Sequence, residues 1–100
     1  MKKVFISIPV FGKQQSEVDD MKKYVLDCVS ASIGEPVLLL SAWNDYETKP
    51  LEYISDCIKR LASADYAVFA GEWQDCRACV VERMCAEEYC EKYNFKIFDL

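Results

Sequence analysis

The chain has 100 residues, a formal net charge of −5, and about half hydrophobic residues with only three glycines and three prolines. That is enough chain for one ordered domain, residues 1–100, with a real core but not for two. The negative charge argues against a nucleic-acid polymer or an anionic membrane as partner, because both demand basic patches. No apolar run approaches the length of a membrane span. The apolar stretch behind Met1 and the two lysines is interrupted by Pro9, with no small-residue cleavage site after it. The expectation is therefore a mature cytoplasmic protein.

In chain order, strands and helices alternate. Residues 3–9 are apolar and β-rich (Val4, Phe5, Ile6, Ile8), which predicts a buried first strand. A loop with Gly12 follows, and Ser16 is the expected N-cap of a helix whose first turn is acidic. Val18, Met21, Val25, Cys28 and Val29 recur at helical spacing to about Ala31, and Gly34 closes the helix. Residues 36–40 form a second apolar strand, and 41–49 a polar loop carrying Trp43 and Tyr46. Pro50 opens a second helix with Leu51, Ile54, Cys57, Ile58 and Leu61 on one face. Residues 66–70 are the third strand, 77–92 the third helix, and 95–98 a short last strand.

This alternation predicts an α/β fold: a flavodoxin-like three-layer sandwich, with a parallel sheet of four or five strands and helices on both faces. Ligands in such sheets collect at the carboxyl ends of the strands, where the winding reverses. Three segments are expected to meet there: 7–12, containing Ser7, Pro9 and Gly12; 41–46, containing Trp43; and 71–79, containing Gly71 and Trp73. The loop aromatics Trp43, Tyr46 and Trp73 are candidates to stack on a flat ring, with partial burial or an oligomer contact as the alternative.

Of the six cysteines, Cys28 and Cys57 lie on apolar helix faces and read as core filler. Cys76 and Cys79 form C-x-x-C at a helix start, where amide dipoles lower a thiol pKa, a genuine redox signature. Cys85 and Cys90 follow on the same helix, which prevents a zinc tetrahedron, and no metal is expected. No histidine is present, so a histidine-dependent triad or base is excluded. No glycine fingerprint of a dinucleotide or triphosphate site occurs, and no cofactor is expected.

Two stretches carry a resemblance. Lys3-Val-Phe-Ile-Ser-Ile-Pro9 with Gly12 is similar to K-x-Y-I-[SA]-G-P-x-x-G. Ala64-Asp65 followed by Gly71-x-Trp73-x-x-Cys76-Arg77-Ala78-Cys79-x-x-Glu82-x-x-x-Ala86 is similar to C-D-x-(apolar run)-G-W-x-x-S-R-G-A-x-x-E-x-x-x-A. Together they resemble a small bacterial and phage domain family of the nucleoside 2-deoxyribosyltransferase-like superfamily, across nearly the whole chain. The resemblance implies a nucleoside- or nucleotide-shaped ligand and makes Glu82 the carboxylate that attacks the anomeric carbon, as in a retaining glycosidase. It implies Asp75 as the acid that serves the leaving base. Arg77 and the amides of residues 76–79, Ala78 included, are implied as donors to Glu82 or the ligand, and a homo-oligomer is implied.

Departures from the pattern bear on activity. Phe5 replaces the family's tyrosine and Ile8 its glycine, while Cys76 and Ala78 replace a serine and a glycine. Asp56 stands one residue from an expected acidic position. Three classes follow: a glycosyl-bond enzyme using Glu82 and Asp75, a non-catalytic nucleotide-binding or sequestering module, and a thiol redox protein using Cys76 and Cys79. Without the resemblance, Glu82 reads as one more solvated helical glutamate.

Overall fold

A computed structural model describes residues 1–10, 12–40, 49–93 and 96–100, the side chains of 90–93 excepted. The expected loop aromatics Trp43 and Tyr46 lie outside the described residues. Four strands, β1 (Lys2–Ser7), β2 (Val37–Leu40), β3 (Tyr66–Phe69) and β4 (Lys96–Asp99), alternate with three helices, α1 (Gln15–Ile33), α2 (Pro50–Leu61) and α3 (Arg77–Tyr93). The sheet is parallel throughout, in the order β2-β1-β3-β4. The chain leaves β1 toward β2 and then returns to the other side of β1. The winding therefore reverses between β1 and β3, whose register pairs Val4 with Tyr66 and Ser7 with Phe69.

Strand alternation sorts the core into two layers. Val4 and Ile6 of β1 and Ile8 just after it, with Val68 and Ala70, pack against Val18, Val25 and Val29 of α1. Phe5, Ala67 and Phe69 point to the opposite face and pack against Tyr53, Cys57 and Leu61 of α2 and Ala78 and Ala86 of α3. This is a flavodoxin-like α/β sandwich. Among the described residues no helix is long and apolar enough to cross a membrane.

Local rules account for most element ends, with some corrections. Gly34 takes φ 75° and donates its amide to the Ser30 carbonyl, closing α1 as expected. The start of α1 falls one residue before Ser16: Gln14 occupies the N-cap without a side-chain cap, and Gln15 Nε2 donates to Asp19 Oδ1 at 2.6 Å. Pro50 does open α2. Leu51, expected on the buried face, is 79% exposed because the first turn of α2 projects past the sheet layer that begins at Tyr53. Cys57 is core, whereas Cys28 is only half-buried. The second strand is an edge, and Leu38 faces solvent there.

β4 is tied to α3 by Arg83. Its guanidinium donates to both carboxylate oxygens of Asp99 and to Glu87 Oε1, and lies 5.0 Å from the ring centroids of Phe69 and Trp73. Charge and cation–π contact combine there, with the side chain only 17% exposed. Phe69 is thus enclosed on every side. Phe69→Ala is expected to lower stability by about 3–5 kcal/mol, whereas Leu51→Ala should change it by less than about 0.5 kcal/mol. Urea melts of both variants check the ranking.

Candidate functional site

Ser7 ends β1 on the Phe5 face, so it points beneath the sheet toward α2 and α3. There it meets Glu82. Ala78, Cys79, Glu82 and Ala86 lie along one stripe of α3 at spacings of three and four, and all are buried. Small residues at 78, 79 and 86 let the helix approach the sheet closely, which carries Glu82 inward with them. Glu82 is only 2% exposed, so it is not a solvated helical glutamate.

The carboxyl lines a water-sized hollow of about 10 Å³ together with Ser7, Ile8, Lys22, Tyr53 and Cys57. Burial raises the Glu82 pKa to about 7, while the neighbouring Ser7 hydroxyl, the Lys22 ammonium and the Cys57 thiol oppose that rise. Burial also pushes the Cys57 thiol up to about 12, with the charge of Glu82 adding to it. The Tyr53 phenol is raised too, by burial first and then by Cys57 and Glu82. Lys22 is lowered by desolvation, partly offset by Cys57, Asp19 and Glu82. Ser7 Oγ is fully buried between Glu82 and Cys79, close enough to lower the pKa of both, though without full hydrogen-bond geometry to either.

A second, open cleft lies at the carboxyl ends of β1 and β3, lined by Pro9, Lys13, Met21, Gly71, Glu72, Asp75, Cys76 and Arg77. Gly71 turns the chain out of β3 at φ 68°, with Pro9 Cδ at 3.6 Å from where a Cβ would stand. A short 3-10 turn, Trp73–Asp75, then leads into α3. Cys76 stands at the N-cap of α3, its carbonyl accepting from the Val80 amide at 2.9 Å. Its thiol is lowered to about 6, first by the Cys79 thiol donating to its sulfur and then by the amides of Cys79 and Ala78, against burial. Cys79 is raised, first by that bond to Cys76 and then by burial.

The residues expected from the sequence therefore divide. Ser7 and Glu82 share the closed cavity, with Cys79 and Ala78 buried beside them. Pro9, Gly71, Asp75, Cys76 and Arg77 line the open cleft. Asp75 and Glu82 thus face different hollows. Gly12 sits exposed in the turn before α1 and lines neither of these two hollows. Trp73 packs its ring on Phe69 at 5.5 Å and beneath Arg83, so a stacking surface for a ligand is not its main use. Trp43 falls outside the described residues.

Lys22, Tyr53 and Cys57 were not singled out as site residues by the sequence. Cys57 and Tyr53 lie one helical turn apart on α2, a spacing that marks a shared face but not what that face meets. Among the described residues no group of Cys, Asp and Glu side chains is arranged to hold a metal ion. Comparison of the chain with family models, curated proteins and solved structures returns no match.

Linkage gives the buried carboxyl a pH signature. Glu82 holds its proton more tightly folded than unfolded, so its stabilising contribution is full below about 4.5 and is lost as pH rises through about 7. The parent should lose about 3 kcal/mol over that window, and Glu82→Gln, which cannot ionise, should keep it. Urea melts in mildly acid and mildly alkaline buffer should show the variant's relative stability growing with pH. Identical pH slopes would refute the buried carboxyl.

Proposed function

We propose that the protein binds a nucleoside- or nucleotide-shaped ligand at the carboxyl ends of β1 and β3, and breaks or transfers its N-glycosidic bond with Glu82 as the attacking carboxylate. The observation that carries this reading is Glu82 itself, 2% exposed beside the end of β1 with the buried Ser7 hydroxyl next to it. It is the residue that the resemblance to the nucleoside 2-deoxyribosyltransferase-like superfamily makes the nucleophile. The hollow at Glu82 is water-sized, about 10 Å³, against roughly 300–1,000 Å³ for ligand sites. The ligand is therefore assigned to the open cleft lined by Pro9, Gly71, Asp75 and Arg77, and its sugar reaches Glu82 only if the hollow widens.

The chemistry follows from the groups present. A pKa near 7 leaves a substantial ionised fraction of Glu82 at neutral pH. That carboxylate attacks the anomeric carbon, the C–N bond breaks with its electron pair leaving on the base, and water or a second base then releases the sugar. Ser7 donates to a sugar hydroxyl or to the carboxylate, and Lys22 favours the charged form. Asp75, which lines the open cleft rather than the hollow of Glu82, is the acid this reading assigns to the departing base. The same reading makes the protein cytoplasmic and a homo-oligomer, with no cofactor and with neither a nucleic-acid polymer nor a membrane as partner.

Ile8 favours a second reading. It stands where the resembled pattern has glycine and narrows the hollow at Glu82, which favours a nucleotide held in the open cleft without turnover. A thermal-shift screen against nucleosides, nucleotides and NAD, followed by turnover assays on the hits, separates the two. Glu82→Gln is expected to abolish glycosyl turnover and to weaken ribose-containing ligands by about 1–3 kcal/mol, the cost of a lost charged hydrogen bond. A variant that binds and turns over like the parent removes Glu82 from the site. Light scattering at micromolar concentration is expected to show a two-fold dimer or higher assembly.

A further inference from the structure

We infer that Cys76 and Cys79 form a redox-active dithiol in which Cys76 exchanges with a small-molecule disulfide, Cys79 resolves the adduct, and Ser7 and Glu82 take the proton that Cys79 gives up. Three observations carry this. Cys76 lines the open cleft while Cys79 is 1% exposed, so only one of the pair is available to a reagent. The Cys79 thiol already donates to the Cys76 sulfur, which puts the two sulfurs in contact. Residues three apart in a helical turn have Cα atoms about 5 Å apart, inside the window of roughly 4.4–6.8 Å that a disulfide requires.

The third observation is the position of the Ser7 hydroxyl. Ser7 Oγ is fully buried between Cys79 and Glu82 and acts on both. A buried thiol becomes a nucleophile only when something accepts its proton, and Ser7 with Glu82 is a route for it.

The steps balance. The Cys76 thiolate, favoured first by the Cys79 thiol and then by the amides at the start of α3, attacks one sulfur of a disulfide R–S–S–R. The S–S bond breaks, RS⁻ leaves, and a mixed disulfide forms on Cys76. Cys76 then carries no charge and no longer accepts from Cys79, which removes the first cause of the raised Cys79 pKa. The Cys79 proton passes through the Ser7 hydroxyl to the Glu82 carboxylate. The Cys79 thiolate attacks the Cys76 sulfur and expels the second RS⁻. The protein dithiol has lost two electrons, and R–S–S–R has become two thiols.

Charges facing the pair come from every neighbouring element. Lys13, Glu72, Asp75 and Arg77 surround Cys76 in the cleft, while Glu82 and Tyr53 act on Cys79, and Lys22 and Cys57 act on Glu82. The inference does not rest on the nucleoside reading, and its test contains no nucleoside, so either can fail alone.

The test incubates the reduced full chain with glutathione disulfide at neutral pH and maps the products by mass. The parent is expected to lose two hydrogens and yield a Cys76–Cys79 disulfide. Cys79→Ser and Cys79→Ala are both expected to stop at a stable glutathione adduct on Cys76, provided each shows the parent's circular dichroism. Cys76→Ser should form no adduct at Cys79. Glu82→Gln should form the adduct at the parent's rate but resolve it at least about tenfold more slowly, with the difference vanishing in alkaline buffer, where hydroxide replaces the carboxylate. Adducts arising first at Cys28 or Cys85, or no bridge in the parent, would overturn the dithiol. Resolution by Glu82→Gln at the parent's rate would overturn the proton route.

Discussion

One constraint governs this site: a carboxyl is buried against the underside of a parallel sheet. Desolvation of an ionised glutamate is expensive, and the chain meets the cost by letting Glu82 share its proton near neutral pH rather than by sealing it in an ion pair. Everything around the cavity reflects that choice. Ser7, Cys57 and Tyr53 supply polar hydrogens at short range, and Lys22 supplies positive charge from the other layer of the sandwich. The result is a polar pocket at the switch point of an otherwise apolar core.

Glu82 can occupy that position because its helix is held from the opposite flank. The next residue, Arg83, binds Asp99 at the end of β4 and covers the Phe69 and Trp73 rings. Consecutive residues on a helix point about 100° apart. Anchoring 83 toward β4 therefore turns 82 toward β1. The small residues Ala78, Cys79 and Ala86 complete the arrangement by letting α3 lie close enough to the sheet for the carboxyl to reach Ser7.

The start of the same helix sets the chemistry of the cysteines. Cys76 occupies a cap position usually given to serine or aspartate, so its sulfur receives the amides that an oxygen would otherwise receive. The Cys79 proton and the Glu82 proton then belong to one connected set of groups, with Ser7 between them. Whether the cavity serves a sugar or a thiol proton, the asset is the same: a buried acid able to change charge near pH 7.

Much of the fold was legible in the sequence because its rules are local. Strand alternation at 4–8 placed Val4, Ile6 and Ile8 on one face and Phe5 and Ser7 on the other. Gly34 and Pro50 marked helix ends by backbone conformation alone. Strands alternating with helices dictated the parallel sheet, and hence the meeting of the loops after β1 and β3. The site was legible only in part. The burial of Glu82 was not legible, since a glutamate in a helix satisfies local propensity whichever way it faces. Lys22, Tyr53 and Cys57 carry no signal of their own, and Leu51 fits the apolar spacing of α2 yet lies beyond the sheet. The tertiary structure decided these points because the cavity draws residues 7, 22, 53, 57 and 82 from β1 and all three helices. Their proximity is set by how closely three helices can pack on two strands, a distance fixed by side-chain volumes across the layers rather than by spacing along the chain.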